Sequence, residues 1–218
     1  MSVSMIFGAA VGAAHSTLEH LAVLLTPLVG GLAGALAIVL LTLAVRLLIS
    51  PLTYLQVRAD RRRTALAPRL AELRTKHGKD PVRLAQEISA AHREAGVRPF
   101  VSLLPGLAQT PFFMIMYRVV QPAGAVAVGA LAGTLLGVPL TAHLFAGWPA
   151  FAVLLVVAGG LAWWSSRRAR RAAGVPRVLT WLPYLSLAAI AYLPLAGGLY
   201  LVTSSAWTAL ETAVWRRG

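Results

Sequence analysis

The sequence predicts an all-α polytopic membrane protein with five transmembrane helices and a cytoplasmic helical hairpin. Three observations carry that prediction. Of the 218 residues 58% are hydrophobic and only 12% charged, about half the charged share of a soluble domain and too few to cover a soluble surface. The basic residues are clustered: eleven lie from Arg58 to Arg98, five from Arg167 to Arg177, and Arg216 and Arg217 close the chain, leaving only Arg46 and Arg118 outside. Between the clusters run uncharged stretches comparable with the roughly 20 helical residues that cross a hydrocarbon core of about 30 Å.

Residues 1–29 form an extracytoplasmic N-terminal segment without the basic start of a signal peptide. Within it, residues 16–26 suit an interfacial helix, with Ser16 or Thr17 as cap and Glu19 in the first turn. The first span is 30–55, interrupted only by Arg46. A cytoplasmic helical hairpin occupies 56–98, and the second span follows at 99–120. Residues 121–147 read as an extracytoplasmic loop. Counting Pro122 to Leu140 as a sixth span would carry Arg167–Arg171 outside, so that count is rejected. Gly129, Gly133 and Gly137 have the spacing of helix contacts, which chance explains in so Gly- and Ala-rich a stretch. The third span, 148–166, ends near the interfacial pair Trp163 and Trp164, and a basic cytoplasmic loop covers 167–177. Residues 178–214 are too long for one span. Pro194 and Gly197-Gly198 divide them into a fourth span at 178–193 and a fifth at 197–214, before a cytoplasmic tail at 215–218. Five spans put the termini on opposite sides. With the N-terminus outside, all three basic clusters fall inside, which predicts a multi-pass protein of the cell membrane.

The hairpin has ordinary amphipathic spacing, with Leu66, Leu70 and Leu73 in one arm and Leu84, Ile88, Ala91 and Ala95 in the other. Between them Gly78 can stop a helix, Asp80 can cap the next and Pro81 suits its first position. Glu72 with Lys76, and Glu94 with Arg98, have the spacing of helical charge pairs. Eleven basic against five acidic residues leave the hairpin at +6. That charge fits a topology signal resting on anionic lipid. It equally fits a docking surface for a polyanion such as ribosomal RNA, for which Arg61, Arg62, Arg63, Arg69, Lys76, Lys79 and Asp80 are the candidates. Both readings stay open.

Arg46 is the most informative residue. Twelve residues separate it from Arg58, about 18 Å of helix, so it lies well below the cytoplasmic surface. A mid-span arginine costs at least about 2.5–3.5 kcal/mol and usually faces a polar cavity; the alternative is snorkelling to the inner interface. The spans offer it no carboxylate partner, Glu211 being near the inner end, so an unpaired cation implies a hydrated groove. Gln109, mid-span between Pro105 and Pro111, is the strongest further candidate, because an amide in lipid needs partners. Thr42, Ser50, Thr180, Ser186 and Tyr200 are also candidates, although a lone Ser or Thr more often bonds back to its own helix. The prolines at 99, 105 and 111 imply an irregular second span whose freed carbonyls need water or side chains.

The chain has no cysteine, and its histidines at 15, 20, 77, 92 and 143 lack metal-ligand spacing. No catalytic set, phosphate loop or intramembrane acid relay is evident. The expectation is no catalytic residue, no metal, no cofactor, no enzymatic activity and no DNA partner. A small transporter or channel that passes an anionic solute by way of Arg46 remains an alternative, though it lacks internal repeats. A structural assembly factor for membrane complexes is a further one.

The motifs occur in a characteristic order. Thr42, Arg46 and Pro51 precede the Lys79-Asp80-Pro81 turn; Gly96-Val-Arg-Pro99, Leu104-Pro105, Gln109-Thr-Pro111 and Tyr117-Arg118 follow. Leu136-Gly137-Val138, Pro183, Leu193-Pro194 and Gly198-Leu-Tyr200 complete the set. Over residues 30–212 the chain resembles the YidC-type membrane protein insertases, which include the mitochondrial Oxa and chloroplast Albino proteins. The resemblance implies a five-helix core with a groove open to cytoplasm and lipid and closed on the outer side. Arg46 matches the groove arginine and Gln109 a glutamine of the family pattern. The hairpin matches the one linked to client and ribosome reception, and the second and fourth spans match the slide by which a client helix leaves for lipid. The implied function is an insertase and chaperone. Its implied partners are nascent membrane protein clients and the lipid bilayer, with the ribosome, the signal recognition pathway or a translocon as further ones. Where many members have Tyr-Trp, Ser-Asn and a later Gln, this chain has Tyr200-Leu201, Ser204-Ser205 and Glu211. The tryptophan wall of the groove is therefore in doubt. The extra N-terminal span and large periplasmic domain of some members have no counterpart, so the resemblance is to the short form.

Overall fold

The computed structural model describes residues 3–96, 114–115, 117–119, 129–171 and 177–215. Among these the chain is helical apart from short loops and one β pair of two residues per strand. Helix α1 (Val3–Val29) joins through a 3-10 turn at Gly30–Leu32 to α2 (Ala33–His77), which is 45 residues long. At 1.5 Å per residue α2 measures about 65 Å, roughly twice a hydrocarbon core. The boundary expected near residue 55 is therefore not a break in the helix. Pro51 and Pro68 are its only prolines, and each removes a single backbone bond from a long ladder. Likewise α1 extends well beyond the 16–26 segment, with Pro27 in its last turn.

Gly78 closes α2 with a right-handed φ of −60°. Glycine is needed there for space, because a Cβ would stand 2.6 Å from the Arg74 carbonyl oxygen. Asp80 is extended, and its carboxylate accepts the backbone N–H of Val82 (3.1 Å) and Arg83 (3.0 Å), opening α3 (Pro81–Glu94). Helix α3 packs back on α2. Glu94 meets Arg69 of α2 at 2.8 Å; its expected partner Arg98 lies outside the described residues, as does most of 99–120.

Helix α4 (Trp148–Arg171) continues through the first four arginines of the expected basic loop. A 3-10 segment at Arg177–Tyr184, holding Pro183, leads into the two-turn α5 (Leu185–Tyr192). The expected fourth span is thus not one uniform α-helix. Helix α6 (Leu195–Trp215) starts directly after Pro194. It keeps Gly197-Gly198 inside, where a Cβ on Gly198 would meet Leu154 and Ile190 at 3.2 and 3.3 Å. These glycines let helices approach rather than ending one.

Helices α2, α4 and α6 run in the same direction. Arg46, Ser50 and Tyr54 of α2 meet Ser204, Glu211 and Trp215 of α6 in rising order. Leu154 of α4 lies by Gly198 while Arg168 reaches the Thr212 carbonyl. The apolar core gathers at the shared N-terminal end of these helices. It contains Ile38, Phe151, Leu154, Ile190 and Leu195, with Leu18 of α1.

Residues 129–147 close that end with a 3-10 turn, the β pair Thr134–Leu135 and Val138–Pro139, and further turns. Residues 129–147 hold no membrane-length helix; residues 121–128 of the expected loop lie outside the described residues. Its carbonyls at Ala142 and Leu140 accept the first N–H groups of α6, from Leu195 (2.8 Å) and Ala196 (2.9 Å), donors that a helix cannot satisfy itself. The three spaced glycines do not share a helix face, and each has its own role. Gly129 abuts Glu19, and Gly133 lies on the backbone of Gly31 and Gly34. Gly137, with φ +76°, follows Leu136 at φ +53° in the two-residue turn of the hairpin.

Two helical stretches among the described residues are long and apolar enough to cross a membrane, Ser4–Leu55 and Trp148–Arg170. Helix α6, at 21 residues, has the length, but its Ser, Thr and Glu side chains lower its hydropathy.

Candidate functional site: a polar seam between α2 and α6

Thr42, Arg46 and Ser50 recur every four residues on α2, so they form one stripe along the helix. Tyr200, Ser204, Trp207, Glu211 and Trp215 form the matching stripe on α6, at steps of three and four. Where the two stripes face each other the helices join through polar groups instead of interdigitated aliphatic chains. Arg46, half-buried, donates from Nε to the hydroxyl of Ser204 at 2.9 Å, and its Nη2 donates to the same oxygen. Further along, the Ser50 hydroxyl donates to the Glu211 carboxylate. Tyr54 and Trp215 then meet edge to face, with ring centroids 5.2 Å apart.

Glu211 changes the electrostatics expected of this site. It is 5% exposed and accepts from Ser50, one turn from Arg46 on α2. The arginine is therefore not an isolated cation, as the position of Glu211 near the inner end suggests. An acid two turns beyond Ser204 on a helix parallel to α2 is carried alongside Arg46, a relationship set by the pairing of the helices. Ser204 and Glu211, which accept from Arg46 and Ser50, are not among the sequence candidates. Their four- and eleven-residue spacing from Tyr200 is the signal that identifies them.

The other candidates divide. Tyr200 is 2% exposed on the α6 stripe. Thr42 is fully buried, and its hydroxyl bonds back to the Ile38 carbonyl at 2.7 Å, so it contributes a small side chain rather than an open donor. Ser186 bonds locally to the Pro183 carbonyl. Thr180 is buried on the 3-10 segment, which packs on α4 and α5. Gln109 lies outside the described residues. The Trp207 indole N–H, between Ser204 and Glu211 in the α6 sequence, is buried with no hydrogen-bond partner among the described residues.

Beyond the seam the parallel helices bring their basic ends together. Arg61 of α2 donates to the Trp215 carbonyl, and Arg168 of α4 donates to the Thr212 carbonyl at 3.1 Å. Two cations thus occupy the negative end of α6 and satisfy carbonyls its own ladder leaves over. Nearby arginines lie over tryptophans: Arg167 on Trp163 (5.1 Å), Arg168 on Trp164 (4.3 Å) and Arg170 on Trp181 (5.6 Å). Such pairs suit an interfacial belt, where a ring is half in lipid and a guanidinium in water.

Of the hairpin candidates, Arg61 is tied to α6, Arg69 pairs with Glu94 and Asp80 caps α3. Arg62, Lys76 and Lys79 are exposed. The side chain of Arg63 lies outside those described. Among the described residues no group of three or more His, Cys, Asp or Glu is arranged to hold a metal ion.

The family model described as 60Kd inner membrane protein matches residues 25–218, nearly the whole chain. A protein of Streptomyces avermitilis named membrane protein insertase YidC is 33% identical over 116 residues, 53% of this chain and 27% of that protein. One of Streptococcus pyogenes serotype M3, membrane protein insertase YidC 1, is 34% identical over 110 residues, 49% of this chain and 38% of the relative. A third, from Aquifex aeolicus, is 34% identical over 84 residues, 38% and 17% of the two chains. The matched region thus spans well under half of each of these curated relatives.

Proposed function

The chain belongs to the 60Kd inner membrane protein family, and from that premise we propose that it is a membrane protein insertase and chaperone, not an enzyme. It passes hydrophobic segments of nascent membrane proteins from a hydrated, arginine-containing groove into the bilayer. The observation that carries the proposal is the α2–α6 seam. A guanidinium, two hydroxyls and a carboxylate at membrane depth are costly in lipid unless they face one another and water.

In this reading a client's hydrophilic tail enters beside Arg46, and its apolar segment leaves between the second and fourth spans. Burial of that segment supplies about 25 cal/mol per Å² of apolar area. The membrane potential adds about 2.3 kcal/mol per 100 mV for each acidic charge moved outward. The groove lowers the barrier by shortening the apolar path, and so short a helix as α5 thins the bilayer in the same direction.

The parallel course of α2, α4 and α6 supports the five-span arrangement, since the chain must return between each pair. Their basic ends lie together, and the positive-inside tendency then assigns that end to the cytoplasm and the N-terminus to the outside. The end closed by residues 129–147 becomes the outer side of the groove. Arg62, Lys76 and Lys79 are the exposed cations through which the projecting α2–α3 hairpin receives a ribosome, a targeting complex or a translocon. An anion path by way of Arg46 is disfavoured, because its guanidinium is engaged by Ser204 beside a carboxylate.

The test is insertion of a short single-span client with an acidic tail into proteoliposomes, scored by protease protection of the tail. Protection is expected with the wild type and reduced with Arg46→Ala. Equal protection in protein-free liposomes overturns the proposal.

A further inference from the structure

The apolar stretches 30–57, 99–117, 148–166 and 178–215 contain two charged side chains in all, Arg46 and Glu211. Both fall on the α2–α6 seam, where Ser50, one turn from Arg46 on α2, donates to the Glu211 carboxylate. We infer that Glu211 is a specificity residue of the seam: it balances Arg46, so that a client tail meets an opposed pair of charges rather than a lone cation.

The inference rests on the insertase reading and concerns the chemistry of the tail that the groove accepts. A lone guanidinium attracts carboxylates and repels Lys and Arg as a tail passes. An acid held about 10 Å along the same wall, two turns from Ser204, opposes that bias as the tail moves from one charge past the other. Ser50 gives the Glu211 carboxylate a hydrogen-bond donor from the same α2 stripe that carries Arg46. The bound Ser50 hydroxyl also fixes the carboxylate toward α2, on the side of Arg46. Acidic, neutral and basic tails are then handled alike, and Glu211 is the residue responsible.

The experiment uses the full chain in proteoliposomes without an imposed potential. One single-span client carries a tail with two Asp, two Asn or two Lys. Wild type, Glu211→Gln, Glu211→Asp and Arg46→Gln are compared by the ratio of protected Asp tail to protected Lys tail. Gln at 211 keeps an oxygen for the Ser50 hydroxyl, so the seam can still close. The wild-type ratio is expected near one. For a hydrated groove, Glu211→Gln raises the ratio about tenfold, or about threefold for each tail position that changes from Lys to Asp. Glu211→Asp leaves it unchanged, and Arg46→Gln moves it the opposite way. If Glu211→Gln inserts the Asn tail normally and keeps the wild-type ratio, the carboxylate is a packing group and the inference is overturned. If wild type fails to insert even the Asn tail, the insertase reading falls and this inference with it.

Discussion

Arg46 of α2 and Ser204 of α6 are 158 residues apart in sequence, yet two nitrogens of the arginine converge on the serine hydroxyl, Nε at 2.9 Å. The serine anchors the guanidinium and sets its depth. Replacing it strands a half-buried cation beside an apolar methyl group.

Ser204→Ala is therefore expected to lower stability by about 1–3 kcal/mol, the range for leaving a buried donor without its acceptor. Denaturant unfolding in detergent micelles measures it. In a double-mutant cycle with Arg46→Ala the coupling should exceed about 0.5 kcal/mol. Additive losses would mean that the bond contributes nothing of its own.

The last turn of α6 is held by Arg61 and Arg168. Substituting either with alanine should cost about 0.3–1 kcal/mol through the helix dipole. The change should appear as faster hydrogen exchange confined to the α6 C-terminus. The exposed Arg61 should show the greater salt dependence. Unchanged exchange in both variants would make the contacts incidental.

Leu136 occupies a left-handed position, φ +53°, with its side chain 61% exposed. Asn-Gly is the pair this kind of two-residue turn favours, so Leu136→Asn should stabilise by about 0.5–1 kcal/mol. Thermal unfolding in micelles reads it as a higher midpoint. A lower midpoint would show that the leucine side chain contributes more than the strained backbone costs.

Asp80 caps α3 by accepting two backbone N–H groups. Asp80→Ala should cost about 1 kcal/mol and loosen the α2–α3 turn, seen as faster amide exchange in Pro81–Glu94. By contrast, Arg69→Ala should cost less than about 1 kcal/mol, because the Arg69–Glu94 pair is solvent-exposed. A larger loss for Arg69 than for Asp80 would reverse this ranking.

Much of the architecture was legible in the residues. Clustered arginines and uncharged stretches indicate a helical membrane protein, and Gly78-Lys79-Asp80-Pro81 marks a helix stop and restart through chemistry that acts within four residues. Arg46 stands out because one cation in an apolar helix is costly wherever the helix sits. Other features misled because local signals compete. The glycines after Pro194, expected to mark a turn, lie inside α6 and serve close packing.

What the sequence determined by itself is the set of elements that depends on neighbours in the chain: apolar stretches, caps, charge clusters and the buried arginine. The partners of that arginine came only from the tertiary structure. Ser204 and Glu211 lie opposite Arg46 and Ser50 because α2 and α6 pack parallel and in one particular register. Neither the direction nor the register of two helices joined by 117 intervening residues is encoded by local spacing. Both follow from the close fit of Gly198 against Leu154 and Ile190, from the loop carbonyls that receive the first N–H groups of α6, and from the polar pairs Arg46–Ser204 and Ser50–Glu211 that close the seam.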